Sequence, residues 1–300
     1  MNEQENHHLH PLNRRAFLQG GTLLLAGSAL LSGRSLLAAT NDKPKLRLGL
    51  VTDLHYADKA TSGTRYHRES LTKFVEVAKR FDQEKPDLII CLGDLIDSAA
   101  SLDVEKGYLK RVATEFSHLP GQHHFVLGNH CVENLTKPEF LEIVGQKQSY
   151  YSFDAAGYHF VILDACFTSD GQPYGRKNFK WGDAKIPPAE LEWLRADLAK
   201  TTKKSIVCIH QCLDLFLSFG VRNSSEVRKV LQDSGEVLAV LQGHYHWGNY
   251  QEIGGLHYCT MSAVVEGSGM KNNAYAMMDI LPSDAIRITG FRKQKSYGWR

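Results

Sequence analysis

The stretch Leu46-Arg47-Leu48-Gly49-Leu50-Val51-Thr52-Asp53-Leu54-His55 sets a short apolar run directly before two residues of metal-binding type, and its reading decides the fold. The run Leu46–Val51 predicts a strand. Beyond it, Glu69 to Phe81 places Leu71, Phe74, Val75, Ala78 and Phe81 at helical spacing, and Pro86 separates that segment from a second strand, Leu88-Ile89-Ile90-Cys91-Leu92. Strand, helix and strand make a βαβ unit. The alternation continues with a helix around Val104 to Phe116, a strand His124–Leu127 and a hairpin joining Tyr150–Phe153 to His159–Leu163. A helix over Ala189 to Ala199, opened by Pro187-Pro188, precedes the strand Ser205–Ile209; a helix near Ser225 to Gln232 precedes the strand Val237–Leu241, and Asn249 to Phe291 is β-rich. That order predicts an α/β domain. With no internal repeat, low-complexity tract or linker, one domain from residue 44 to 296 accounts for it.

Composition narrows the class. Of 300 residues, 43% are hydrophobic and 23% charged, which excludes a disordered or fibrous chain. A formal net charge of +2 gives no electrostatic reason for a nucleic-acid partner or an anionic membrane surface. Six cysteines are too sparse for a disulfide scaffold, and the pairing that suggests itself after export is Cys131 with Cys212. At the N-terminus, Asn13-Arg14-Arg15-Ala16-Phe17-Leu18 precedes the apolar stretch Gly20 to Leu31 and the small residues Ala38-Ala39. This is the layout of an export signal over residues 1–39, and the paired arginines resemble a twin-arginine signal. The apolar stretch is short of the roughly 18 residues that span a bilayer. The expectation is an exported, periplasmic protein that engages the export machinery, with an uncleaved N-terminal membrane anchor as the alternative.

The chemistry sits at the C-terminal end of each apolar run. Asp53-Leu54-His55 comes directly after the first, Gly93-Asp94 after the second and Gly128-Asn129-His130 after the third; His210 succeeds Ile209, and Gly243-His244-Tyr245-His246 succeeds the strand at 237–241. In an α/β sheet the C-terminal ends of parallel strands share one edge, where ligands bind, so these positions converge. Oxygen and imidazole ligands without thiolate suit manganese, iron or zinc. The period of two in Asp53-Leu54-His55 and in His244-Tyr245-His246 predicts an extended backbone on which each pair chelates one ion.

These motifs, in this order, resemble the calcineurin-like metallophosphoesterases across residues 46 to 250. The resemblance implies a four-layer sandwich, two mixed β-sheets flanked by helices, around a dinuclear centre. It implies Asp53, His55 and His246 on one divalent ion, Asn129, His210 and His244 on the other, and Asp94 bridging both, as a carboxylate with two oxygens suits. His130 is then catalytic rather than a ligand, giving a proton to the leaving group while metal-bound hydroxide attacks phosphorus. Cys131 and Cys212 depart from the family pattern, which commonly has an acidic residue after Gly-Asn-His and often a proline two after the later histidine. A finer likeness, to manganese-dependent ADP-ribose/CDP-alcohol diphosphatases, rests on Asp53 to Ala57, Thr64 to Leu71, Tyr150 to Ala165 and the stretch after His246 through Thr260-Met261 to Val265-Glu266. It implies a nucleotide-type substrate whose second phosphate or base meets Arg65, Tyr66 and Arg68. The alternatives are a helix start packed by Tyr66 and Leu71 with Arg65 and Arg68 solvated, a phosphomonoesterase or cyclic nucleotide phosphodiesterase, and a non-catalytic metal-assembled binding protein.

Overall fold

The computed structural model describes residues 43–300 apart from Lys180 and Phe216; the segment read as an export signal, with Arg14 and Arg15, lies outside the described residues. In chain order the elements are β1 (Leu46–Val51), α1 (Glu69–Glu84), β2 (Leu88–Cys91), α2 (Leu102–Ser117), β3 (Gln122–Phe125), α3 (Lys137–Val144), β4 (Tyr151–Ala155), β5 (Tyr158–Ile162) and α4 (Pro188–Lys200). Then come β6 (Ser205–Ile209), α5 (Ser224–Ser234), β7 (Val237–Gln242), β8 (Trp247–Ile253), β9 (Leu256–Ser262), β10 (Ala274–Ile280), β11 (Ile286–Arg292) and β12 (Tyr297–Trp299). The strands form two six-stranded sheets, β12-β11-β10-β1-β2-β3 and β4-β5-β6-β7-β9-β8. Both are mixed: β1, β2 and β3 run parallel while β10 opposes β1, and β5, β6, β7 and β9 run parallel while β4 and β8 oppose their neighbours.

Period two explains the layers. Leu46, Leu48, Leu50 and Ile90 from the first sheet meet Phe160, Ile162, Ile206 and Leu241 from the second, closing one core between the sheets. The alternate residues point the other way. Val51 and Ile89 pack under Phe74, Val77 and Phe81 of α1 and Leu109 and Val112 of α2, and Val161, Val207 and Val240 pack under α4 and α5. Strands buried on both faces must be apolar throughout, which is why β2 and β5 to β7 read as unbroken runs. The four-layer α/β sandwich is the observed architecture.

Three details differ from the sequence reading. The third strand lies two residues earlier than expected, because its pairing with β2 aligns Leu88 with Gln122 and Cys91 with Phe125, after which the chain leaves the sheet. On α1 the buried residues are Ser70, Lys73, Phe74, Val77 and Phe81, whereas Val75, expected on the apolar face, is 61% exposed. Strand β12 pairs with β11 beyond the boundary drawn at 296. All six cysteines are buried and free; Cys131 Sγ accepts the Leu95 N–H while Cys212 Sγ faces the Gly243 carbonyl, so the two are not bonded. Among the described residues no helix is long and apolar enough to cross a membrane.

Candidate metal centre

The C-terminal ends of β1, β2, β6 and β7, with the segment after β3, deliver the ligand residues to one place. They arrive on a backbone that is not extended. Asp53 (φ 51°), His55 (φ 44°), Asp94 (φ 48°) and His244 (φ 68°) all adopt the left-handed region. For non-glycine residues each such conformation costs about 1–3 kcal/mol and persists only where the surroundings over-determine it. Here the ladder continues past the strand ends: Asp53 N–H donates to Gly93 O at 3.0 Å and His55 N–H to Asp94 O at 2.9 Å. Gly93 and Gly128 are required by close approach, since a Cβ on the first would overlap the His210 ring and one on the second the Asp94 carboxylate.

Two triads result. The ligating atoms of Asp53, His55 and His246 lie within 4.8 Å of one another, and so do those of Asp94, His210 and His244. His244 and His246 therefore serve different triads, the division that the family resemblance implies and not the shared ion that the period of two predicts, because the positive φ of His244 breaks that period. Asp94 stands between the triads through a single oxygen: Oδ2 is 3.1 Å from His210 Nε2 and 3.5 Å from His55 Nε2, while Oδ1 accepts the His130 N–H at 2.8 Å. Asn129, 3% exposed, precedes His130 with both amide atoms buried and unpartnered.

The donor set fits divalent cations. Asp53 Oδ1, Asn129 Oδ1 and His210 Nε2 are buried without a hydrogen-bond partner, an arrangement that costs about 1–3 kcal/mol per group unless something else binds there. Their companion atoms are occupied. Asp53 Oδ2 accepts from Thr52 Oγ1 at 2.6 Å and from the His244 N–H at 3.1 Å, and His210 Nδ1 donates to Leu92 O at 2.7 Å, which leaves Nε2 with its lone pair free. Burial, and after it His210, pushes the His244 pKa down to about 3, keeping it in the neutral form that binds metal. The residues that would hold the ions are thus Asp53, His55, Asp94, Asn129, His210, His244 and His246.

Around the ligands stand carboxylates that sequence reasoning gave no role. Asp97 Oδ2 lies 3.3 Å from His55 Nδ1 and its Oδ1 3.6 Å from His130 Nδ1, so one buried carboxylate faces both a ligand and the catalytic candidate. Glu133 Oε2 is 3.2 Å from the same His130 nitrogen. Burial opposes charge on His130, but Asp97 and Glu133 outweigh it and raise its pKa to about 10. Glu266 Oε1 lies 2.6 Å from His246 Nδ1. The available signal for Asp97 was its place three residues after Asp94 on the same loop; nothing local marked Glu266 as a partner of His246.

The proposed substrate loop divides. Arg65 Nη1 reaches to 4.0 Å from Asp97, and its backbone bridges to Glu266, placing it at the rim of the centre. Tyr66, partly buried, donates its N–H to Val265 O. Arg68 instead pairs with Asp58 at 2.5 Å, both side chains in solvent, so the two guanidiniums are not assembled as one clamp. On the opposite side, Trp181 stands over His244 with ring centroids 5.5 Å apart. Beside it opens a cavity of about 550 Å³ lined by Trp181, Gly182, Leu215, Ser218, Gly220 and Arg222.

Two sandwiched mixed sheets with adjoining histidine–carboxylate triads at their shared strand ends define a metal-dependent phosphoester hydrolase. Residues 46–248 match the calcineurin-like phosphoesterases, and the chain belongs to that family. It is 24% identical over 303 residues to a manganese-dependent ADP-ribose/CDP-alcohol diphosphatase from Oryza sativa subsp. japonica, covering 85% of this chain and 94% of the relative. It is 26% identical over 231 residues to a 3',5'-cyclic adenosine monophosphate phosphodiesterase from Haemophilus influenzae, covering 70% and 75%. Its fold is similar to that of a dimetal phosphatase from Danio rerio, with a TM-score of 0.75 at 20% identity over 85% of this chain and 99% of the other.

Proposed function

We propose that the chain hydrolyses the phosphoanhydride of a nucleotide-type diphosphate such as ADP-ribose or a CDP-alcohol, with manganese as its metal. The observation that carries this reading is the cavity lined by Trp181, a half-exposed ring whose centroid lies 5.5 Å from that of His244 and which gives a base a place to stack near the triads that hold the phosphate. The activity of the Oryza sativa relative supports both the substrate class and the metal.

Divalent cations, when bound, supply Lewis-acid charge to the phosphoryl oxygens and acidify water. The chain's own residues do the rest. His130, whose Nδ1 faces the Asp97 and Glu133 carboxylates that favour its protonated form, has Nε2 for the leaving oxygen, which gains a proton as the bond to phosphorus breaks. Arg65 at the rim, its side chain partly exposed, meets the second phosphate through a charge-assisted contact.

The test is a substrate panel with manganese. A nucleoside diphosphate ester should show the higher kcat/KM, Trp181→Ala should weaken it by about 1–3 kcal/mol, the value of base stacking on an aromatic ring, and Arg65→Ala by about 1.5–3 kcal/mol, with simple monoesters little affected. The Haemophilus influenzae relative favours a second reading, a cyclic nucleotide phosphodiesterase. Wild-type preference for cyclic nucleotides would establish that reading and overturn the first.

A further inference from the structure

A lysine in the core of this domain stands at a position with no obvious reason to be charged. Lys73 lies on the inner face of α1, 1% exposed, between Ser70 and Phe74. Its ammonium donates to three main-chain carbonyls of one short segment: Val264 O at 2.8 Å, Glu266 O at 3.1 Å and Gly267 O at 2.5 Å. The remaining carbonyl, Val265 O, accepts from Tyr66 N–H, so all four successive acceptors of this segment are satisfied. An ammonium has three donors and no acceptor, and here each donor has its own oxygen.

That segment carries part of the metal centre. Val264 N–H and Val265 N–H donate to Thr52 O and Asp53 O at 3.2 and 3.1 Å, tying the segment to the stretch that bears Asp53 and His55. Glu266 sends its carboxylate to His246 Nδ1 at 2.6 Å. The same helix holds the segment's far end, where Glu69 accepts from Ser268 Oγ at 3.0 Å and Gly269 N–H at 2.7 Å. Removing the ammonium would orphan the buried carbonyls of Val264 and Glu266 and strip a partner from the partly buried carbonyl of Gly267, which favours movement of the segment.

We infer that Lys73 is a positioning residue for the metal centre, fixing the 264–267 segment so that Glu266 holds His246 in the orientation and tautomer that bind metal in the Asp53–His55–His246 triad. The inference is independent of which phosphate ester is the substrate. It concerns one triad, because the second is made of Asp94, His210 and His244, whereas the segment that Lys73 holds reaches the first through Glu266 and His246.

The test reads metal affinity, not turnover. The metal-free full-length chain is titrated with Mn²⁺ in two backgrounds: His210→Ala, which leaves the Asp53 triad, and His246→Ala, which leaves the Asp94 triad. Lys73→Met should weaken Mn²⁺ about 10- to 100-fold in the first background, the usual cost of losing an outer-shell partner, and less than about twofold in the second. Combined with Glu266→Gln in the first background, Lys73→Met should add less than about twofold, since both act through one path. If Lys73→Met does not fold by circular dichroism, Lys73→Gln, which retains donors at that position, is titrated in its place, with a smaller loss confined to the same triad. Equal weakening in both backgrounds, a multiplicative loss with Glu266→Gln, or no weakening at all would each overturn the inference and leave Lys73 a purely structural residue.

Discussion

Asp94 Oδ1 accepts the backbone N–H of His130 at 2.8 Å. The carboxylate that stands between the two triads therefore also fixes the turn that carries Asn129 and His130, and only its Oδ2 is left to face both metal positions. Ligand placement and acid placement are coupled through one side chain. Asp94→Asn should consequently cost more metal than loss of a terminal ligand such as His55→Ala, because it weakens both positions and loosens Asn129. Elemental analysis of the purified variants, set against the two-ion content expected of the wild type, checks this.

His130 should separate from the metal. His130→Ala is expected to keep near-normal metal content while kcat falls about 10²- to 10⁴-fold, the range for loss of a proton-transfer group. The defect should shrink on nitrophenyl esters, whose leaving group needs little protonation. Equal losses on good and poor leaving groups would make His130 a phosphate-binding residue instead.

Asp97 faces both His55 and His130, and its substitution should show both defects at once. Asp97→Asn is expected to weaken metal about 10- to 100-fold through His55 and to lower the pKa that His130 shows in the pH–rate profile. On a His130→Ala background the metal defect should persist while the leaving-group effect of Asp97→Asn disappears, because its target is gone.

A histidine far from the chemistry should set the acid limit of stability. His124 on β3 stacks on Phe153 of β4 with centroids 3.8 Å apart and has Nδ1 2.9 Å from the Tyr151 hydroxyl. Burial, and after it the neighbouring His123, pushes its pKa from 6.5 down to about 4. Because the folded pKa is the lower one, stability is fully present above about pH 6.5 and declines as pH falls toward 4, where the unfolded chain takes the proton and the folded one resists it. The decline amounts to about 3 kcal/mol at its full extent. Tm measured across this window should fall less steeply in His124→Phe than in the wild type.

Export is a proposal that rests on Arg14-Arg15 and the apolar stretch beyond them. Replacing both arginines by lysine keeps the charge and should retain the protein in the cytoplasm, since a receptor reads the pair itself. Fractionation of cells expressing the two versions decides it, and normal export of the lysine pair would contradict the assignment.

The sequence by itself determined the alternating α/β order and the places of the candidate ligands at strand ends, while the four layers and the choice among those ligands came from the family resemblance. Runs such as Leu46–Val51 and Ser205–Ile209 are apolar on both faces because helices cover one side and the other sheet covers the second, and each ligand comes within a few residues of its strand's end, so both signals are local. What only the tertiary structure decided is the backbone conformation that divides those ligands and the groups that steady them. His244 and His246 part company because His244 adopts a positive φ, which no spacing rule reports. Lys73 is buried where Val75 was expected, because the helix is rotated so that an ammonium can reach carbonyls 191 to 194 residues along the chain. Asp97 meets His130 across 33 residues for the same kind of reason: loops anchored to neighbouring parallel strands are brought side by side by the sheet, and the distances between their side chains are fixed by that packing rather than by sequence separation.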